Sequence, residues 1–455
     1  MDIRKKNRAI KNRQMNPTRV IAVTFALIIL LGASLLTLPV ASRDGISCGF
    51  RPALFTATSA TCVTGLVLYD TWSQWSTFGQ IVIITLIEIG GLGFMSAASV
   101  VIFLFRRKVG LKQRMMMAQA ISVDDMQSVV KIQKWVLLGS LSIQFCGALI
   151  LFFRFLPERG VAQAAAWGAF HAISAFCNAG FDIFGSIGSG QSVAVWNHDP
   201  IVMITLMALV VLGGLGFLVW EEIVRVKRFR KFSAYTKLVL ISTAVLLLGG
   251  ALLIAVLEWR NPATIGQMPV WQKVLNSFFQ SVTLRTAGFA PFDQAGLTEG
   301  GKAVSIFLML IGGASGSTAG GAKIVTVVVL MLFIGTRLQG RTTVTVFKRS
   351  ILPEKVMDAM MIVSVMVGLS LFGATVICTT SVVTFTDGLF EAVSALATVG
   401  ITAGVTAKLH TIAQLMIILF MYFGRVGILT ISLGFLMSDR AEERFQYAHT
   451  NLLIG

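Results

Sequence analysis

Four segments of this chain repeat one pattern, and that repetition constrains the fold more than any other feature. They read FTATSATCVTGL (Phe55 to Leu66), FHAISAFCNAGF (Phe170 to Phe181), FFQSVTLRTAGF (Phe278 to Phe289) and FEAVSALATVGI (Phe390 to Ile401). Aligned on Gly65, Gly180, Gly288 and Gly400, each copy has Phe ten residues earlier and a bulky apolar residue just after, with glycine spacings of 115, 108 and 112. Ser59, Ser174 and Ser394 share one offset, where the third copy has Val282. Four matches in register mark an internal repeat, and therefore four copies of one structural unit.

Between these segments lie apolar runs of about 20 residues, the length a helix needs to cross a bilayer. Of the 455 residues, 55% are hydrophobic and 13% charged, against roughly 25% charged in a soluble domain. Eight spans are expected: Val20 to Val40, Phe78 to Phe105, Trp135 to Leu156, Ile201 to Val224, Leu238 to Leu257, Ala303 to Ile334, Val356 to Thr379 and Thr411 to Met437. The first lacks the short apolar core and cleavage pattern of a signal peptide, so it is expected to be retained.

The net charge of +17 does not point to nucleic acid, because its distribution follows the spans. Of 38 basic residues, 27 fall before the first span, in alternate connections and after the last span, in clusters such as Arg106 to Lys108, Arg225 to Lys231 and Arg337 to Lys355. That bias marks the cytoplasmic side and puts both termini inside; it is also compatible with anionic lipid headgroups. Cys48, Cys62, Cys146, Cys177 and Cys378 form no metal-like pair and read as small apolar packing residues.

Each repeated segment sits on the outer side and is too short to cross. A short helix that enters and ends near its glycine can return as extended backbone only where protein or water shields its carbonyls from lipid. Four such re-entrant loops around one axis give a ring of carbonyls that replaces the hydration shell of a cation, and glycine permits the backbone angles required. The expected filter is Val63, Thr64 and Gly65; Asn178, Ala179 and Gly180; Thr286, Ala287 and Gly288; and Thr398, Val399 and Gly400. The expected fold is an all-α integral membrane protein of four pseudo-symmetric helix, pore loop, helix repeats: eight transmembrane helices and four re-entrant pore helices around one pore.

TATSATCVTGL, FHAISAFCNAGF, RTAGF and the TVG of Thr398 to Gly400 resemble the filter motifs of the Trk/Ktr/HKT superfamily of potassium transporters, most closely its KtrB-type membrane subunits. The resemblance covers nearly the whole chain. It implies potassium as the transported ion, with sodium a candidate activator, and no organic cofactor. It also implies a homodimer in the lipid bilayer and a cytosolic, KtrA-type nucleotide-binding ring docking on the basic inner face. One departure from tetrameric potassium channels is that each loop keeps a single aligned glycine rather than a full TVGYG, which loosens the expected selectivity against sodium.

A second repeat follows each filter glycine by 24 to 33 residues: GGLGF at Gly90 to Phe94 and at Gly213 to Phe217, GGASGSTAGGAK at Gly312 to Lys323, and Gly424 to Gly427. In copies one and two, glycine pairs are read as close helix packing. Copy three, with Gly312, Gly313, Ala314, Ser315, Gly316, Ser317, Thr318, Ala319, Gly320 and Gly321, makes a poor helix, so a broken span lining the cavity below the filter is expected. The resemblance implies that this stretch gates the pore. GxxxxGK[ST] is not met, because Lys323 follows Ala322 and precedes Ile324, so nucleotide binding is not expected there.

Arg425 stands where the other copies have Gly91, Gly214 and Gly313. An arginine at that depth is a functional hypothesis by default, and it should face the pore; by the resemblance it meets the loop of copy three. The bland alternative pairs it with a buried carboxylate such as Glu88. Arg285 is read as bracing the third loop and His171 as packing in its pore helix.

The leading function is channel-like uptake of potassium across the plasma membrane. The alternative is a proton- or sodium-coupled secondary cation carrier, disfavoured by the scarcity of Asp, Glu and His within spans. No clustered ligands, nucleophile elbow or paired carboxylates suggest an enzyme. The expected organisation is an N-terminal cytoplasmic segment (1–19), pore repeats at 20–110, 111–230, 231–340 and 341–437, and a cytoplasmic tail (438–455).

Overall fold

The computed structural model describes residues 17–93 and 129–427. The basic clusters of residues 4–13 and 106–114, the inner parts of the second and eighth expected spans and the tail 438–455 lie outside them. Among the described residues the fold is helical apart from one short hairpin, β1 (Thr345–Val346) with β2 (Arg349–Ser350).

Each repeat has the same three parts. The first contains helix α1 (Pro17–Thr37), pore helix α2 (Phe50–Thr61) and α3 (Thr77–Leu92). In the second, α4 (Val129–Phe176) supplies both the first helix and the pore helix, and α5 (Pro200–Leu215) and α6 (Phe217–Val226) follow. The third has α7 (Ala234–Glu258), α8 (Val270–Thr283), α9 (Glu299–Leu310) and α10 (Ile324–Leu338). The fourth has α11 (Pro353–Thr380), α12 (Phe385–Leu396) and α13 (Thr411–Val426). Within α4, Gly160 (φ 73°, ψ 170°) breaks the helical path three residues after Pro157 and separates the two functional halves, since neither residue sustains a regular helix.

Side-chain caps fix where the returning helices of the first three repeats and the pore helix of the fourth begin. Asp199 Oδ1 accepts from the Ile201 and Val202 amides with Pro200 at the first helical position; Ser76, Thr298 and Thr384 accept from Gly79, Gly301 and Asp387. Each satisfies an amide that the helix itself leaves unpaired.

The four first helices, α1, α4, α7 and α11, are long and apolar enough to cross a membrane. Their outward faces carry exposed Leu27, Phe153, Leu252 and Phe372, as expected of a surface solvated by lipid. The second helix of copy two is bent, which corrects the expectation of an unbroken span there; in copies one and four the helix reaches a non-helical glycine, and the rest of the expected span lies outside the described residues. Alpha-helix α3 stops at Gly93 (φ 81°), α5 turns by 94° into α6 at Gly216 (φ 89°), and α13 stops at Gly427 (φ 91°). The cause is a glycine at the same place in each, in a backbone region closed to other residues. In copy three the expected break is present, and the whole of Ile311–Lys323 runs without helix between α9 and α10.

The repeats close on themselves. Each second helix packs against the pore-helix unit of the next repeat: α3 on α4, α5 on α8, α9 on α12 and α13 on α2. Polar contacts mark the seams. Gln144 Nε2 donates to Glu88 at 3.0 Å, Asn276 Nδ2 to the Asn197 carbonyl at 3.0 Å, and Lys302 Nζ to Asp387 at 2.8 Å; Arg51 donates to Thr411. The glycine pairs of copies one and two do serve close packing. A Cβ at Gly90 would stand 1.9 Å from the carbonyl of Thr61, the last residue of α2, and one at Gly213 would stand 2.0 Å from that of Phe176. Gly424 repeats the contact against Leu396 at 2.1 Å.

Candidate ion pore

The pore helices end on Thr61, Phe176, Thr283 and Leu396, and the chain then takes the same path four times. Val63, Asn178, Thr286 and Thr398 have φ of 56°, 59°, 66° and 51°, and the glycines two residues on, Gly65, Gly180, Gly288 and Gly400, have φ of 100°, 68°, 88° and 91°. Left-handed backbone at three β-branched residues is strained, on the order of 1–3 kcal/mol each. Packing from the pore helices must hold it.

The glycines meet around one axis. A Cβ at Gly65 would lie 2.5 Å from the Ala179 carbonyl oxygen, one at Gly180 2.8 Å from that of Ala287, one at Gly288 2.7 Å from that of Val399, and one at Gly400 1.8 Å from that of Thr64. Every glycine thus faces the carbonyl of the next repeat, and the fourth faces the first. No side chain fits at any of the four positions.

Hydrogen bonds from the pore helices fix each turn. The amides of Thr64, Ala179 and Val399 donate to the carbonyls of Ser59, Ser174 and Ser394, all at 2.8 Å. Ser59 and Ser394 hydroxyls also accept from the Gly65 and Gly400 amides, at 3.0 and 3.1 Å, while Ser174 donates to the Phe181 carbonyl at 2.6 Å. In the third copy Val282 has no hydroxyl, and the neighbouring Thr283 donates to the Phe289 carbonyl at 2.7 Å instead. The shared serine offset is readable in sequence; the one-residue shift to Thr283 is not. The hydroxyls of Thr64, Thr286 and Thr398 are buried and have no hydrogen-bond partner among the described residues.

Above the ring opens a cavity of about 570 Å³ whose lining includes all four glycines. It carries the carboxylates of Asp70, Asp182 and Asp293 and no Lys or Arg, a combination that concentrates cations at the mouth. Asp182 lies past the turn, outside the membrane-spanning helices. Burial and then the nearby Asp70 charge push its carboxyl up to about 6, against bonds from the Phe184 amide and Ser192. Sequence reasoning missed these three residues because they are far apart along the chain.

Below the ring lies the unwound stretch of repeat three, Gly312 to Gly321. Its backbone is held from all sides. The Ala314 and Thr318 amides donate to the Gly214 and Gly213 carbonyls at 2.9 and 3.2 Å, and the Phe217 amide donates to the Gly316 carbonyl at 3.0 Å. Thr318 Oγ1 donates to the Phe176 carbonyl at 3.1 Å, Tyr235 to that of Ser315 at 3.1 Å, and Ser317 to that of Ala314 at 2.6 Å. A Cβ at Gly313 would meet the Gly214 carbonyl at 2.6 Å and one at Gly312 the Gly320 carbonyl at 1.9 Å, so the segment is folded tightly on itself.

Arg425 reaches this loop. One guanidinium nitrogen donates to the Thr318 carbonyl, and the other donates to those of Gly90 and Gly91, the latter at 3.0 Å. Its partner is not Glu88, which accepts from Gln144 and from Cys177. Lys323 Nζ donates to the Ala319 carbonyl at 2.7 Å, so two basic side chains stand at the loop. Arg285 is buried behind the third turn and donates to the Gly312 carbonyl at 3.1 Å; it braces the unwound stretch. His171 does more than pack. Its Nε2 accepts from the Ile183 amide at 3.2 Å, and its ring stacks on Phe184.

Comparison with known proteins agrees in length and in fold. The family model of TrkH, described as a cation transport protein, matches residues 2–444. The chain is 38% identical to the potassium/sodium uptake protein NtpJ of Enterococcus hirae, over 97% of this chain and 98% of that one. It is 37% identical to the Ktr system potassium uptake protein B of Bacillus subtilis, over 97% of each, and 35% identical to the protein of that name from Vibrio alginolyticus, over 96% and 94%. The crystal structure of the potassium transporter TrkH from Vibrio parahaemolyticus superimposes with a TM-score of 0.71 at 17% identity, covering 93% of this chain and 86% of that one. The common fold is an all-α membrane architecture of pore-loop repeats.

Proposed function

Because the chain belongs to the TrkH family of cation transport proteins, we propose that it is a channel-like subunit for potassium uptake across the plasma membrane. The observation that carries this reading is the closed ring in which each of Gly65, Gly180, Gly288 and Gly400 faces a carbonyl of the next repeat. Carbonyls of Thr64, Ala179, Ala287 and Val399, with the residues flanking them from Val63, Asn178, Thr286 and Thr398 to the glycines, form the filter and take the place of water around the ion. The relatives' names supply potassium, and sodium beside it in one; sodium is accordingly a second permeant or activating ion.

The stretch Gly312 to Gly321 is the gate. It stands beneath the ring, and Arg425 adds positive charge where a cation would pass, with the Lys323 amine beside it. Opening requires Arg425 to release the Thr318 carbonyl. The acidic mouth faces outward and the basic connections face the cytoplasm, with both termini inside. The repeats run 20–110, 111–230, 231–340 and 341–437. We infer that a homodimer whose basic face docks a cytosolic nucleotide-binding ring completes the assembly; the relatives named as proteins of a Ktr system support only that such a subunit works with other components.

The test is flux from potassium-loaded liposomes containing the full chain, with a proton ionophore balancing charge. Potassium-selective flux that loses its preference over sodium in Gly400→Ser supports the filter. Unchanged selectivity in that variant overturns it, and potassium flux that moves protons with it in the absence of the ionophore and stops in Glu88→Gln replaces the channel with a coupled carrier.

A further inference from the structure

Nine residues before the second and fourth glycines, the two pore helices carry His171 and Glu391. Both are wholly buried, and both point polar atoms at the limb by which the chain leaves the turn. His171 Nε2 accepts from the amide of Ile183, three residues past Gly180. Glu391 Oε1 accepts from the amide of Ala403, three residues past Gly400, at 3.1 Å. The same carboxylate accepts from the Thr402 hydroxyl and from Thr406 Oγ1 at 2.8 Å. Two different side chains at one offset thus hold the same amide.

The third repeat reaches the same end by another route. It has Phe279 at that offset, and the adjacent Gln280 exchanges amide bonds of 2.6 and 3.2 Å with Gln294, six residues past Gly288. Both are buried. The position that Thr406 holds relative to Gly400 is the one Gln294 holds relative to Gly288. Three of the four limbs are therefore tied to their own pore helix by a buried polar side chain.

His171 has its tautomer fixed. Nδ1 lies 2.7 Å from the Trp167 carbonyl, one helical turn back, so it carries the proton and leaves Nε2 as the acceptor. Phe184 covers one ring face with centroids 3.8 Å apart. A buried acceptor so placed leaves the limb one position, because an unpaired backbone amide in that setting is costly.

We propose that His171 and Glu391 are positioning residues for ion selectivity, setting the outer carbonyls of the turns by clamping the limb that follows each glycine. The proposal rests on the reading of the four turns as a filter. Ions of similar charge are distinguished by the spacing and stiffness of the oxygens around them, so a limb freed to shift relaxes the choice between potassium and sodium before it stops conduction.

The full chain in liposomes is assayed for potassium and sodium flux in His171→Leu, Glu391→Leu, Glu391→Gln and Gly400→Ala, each first checked for monodispersity. Expected is a fall of about tenfold in the potassium to sodium flux ratio for the two leucine variants, with the ratio restored in Glu391→Gln, which keeps an acceptor for Ala403. If Glu391→Leu does not fold, Thr406→Val removes one of its bonds and should lower the ratio in the same direction. A lowered total flux at an unchanged ratio in His171→Leu and in whichever of the other two folds overturns the proposal, as does a ratio that Glu391→Gln fails to restore. An unchanged ratio in Gly400→Ala overturns the filter reading instead.

Discussion

The hydroxyl of Thr398 lies directly against the α-carbon of Gly320: a Cβ at Gly320 would stand 1.8 Å from Thr398 Oγ1 and 2.9 Å from the Ala397 carbonyl. The turn of repeat four and the unwound stretch of repeat three are therefore in contact, with no residue between them. Gly320→Ala should displace one or the other and change potassium flux or its selectivity severalfold. Because the clash is with the Thr398 side chain, Thr398→Ala in the same chain should move flux back toward wild type. A double-mutant cycle on flux measures this; contacting residues couple by about 0.5–3 kcal/mol, and additive effects would show that the contact transmits nothing.

Much of the architecture is legible in the sequence because one physical demand repeats. Four backbones meeting at one axis exclude side chains, so Gly65, Gly180, Gly288 and Gly400 stay aligned while their neighbours vary. The breaks at Gly93, Gly216 and Gly427 are harder to read. A glycine that ends a helix looks the same in sequence as one that lets two helices touch, and in these stretches Gly90 and Gly213 do the second while Gly93 and Gly216 do the first. Thr283, His171 and Glu391 were hidden for another reason: their roles depend on where the returning limb passes, which no local pattern encodes. Their shared offset from the glycines is the one signal that was available for the last two.

Arg425 joins the Thr318 carbonyl of repeat three to the Gly90 and Gly91 carbonyls of repeat one. Arg425→Ala removes both the clamp and a positive charge and should raise potassium flux by about tenfold or more, given roughly 1.5–3 kcal/mol for a hydrogen bond to a charged group. Arg425→Lys separates the two effects. A single ammonium keeps the charge without the fork that spans two repeats, so its flux should lie between wild type and Arg425→Ala. Lysine behaving as wild type would assign the whole effect to charge.

Asp182 gives the mouth a pH dependence. Burial and the neighbouring Asp70 raise its carboxyl to about 6, so its charge is present above that pH and lost below it. Uptake at low potassium should fall as the outer pH goes from 7.5 to 5, and Asp182→Asn should be lower at pH 7.5 and flat across that window. The stability sign runs the other way. A raised carboxyl binds its proton more tightly in the folded chain, so ionising it opposes folding as pH rises from about 4 through about 6. Wild type should therefore lose melting temperature relative to Asp182→Asn over that range, which thermal unfolding at pH 4, 5, 6 and 7 checks.

Gly93 and Gly216 make a matched pair for separating backbone strain from contact with the loop. Both close a second helix with nearly the same conformation, φ 81° and ψ 145° against φ 89° and ψ 144°, a region in which a Cβ costs on the order of 1–3 kcal/mol. Around Gly93 a Cβ would meet nothing within 4 Å among the described residues, whereas at Gly216 it would lie 3.0 Å from the Ser315 carbonyl and 3.3 Å from the Ala314 side chain. The adjoining Phe217 amide donates to the Gly316 carbonyl, so the bend of repeat two is part of the seat on which the unwound stretch rests. Gly93→Ala and Gly216→Ala should lower thermal stability to a similar extent, but only Gly216→Ala should change potassium flux per folded molecule, because only it pushes on Ser315. Equal flux changes in the two variants would place the effect in helix strain alone and detach the α5–α6 bend from gating.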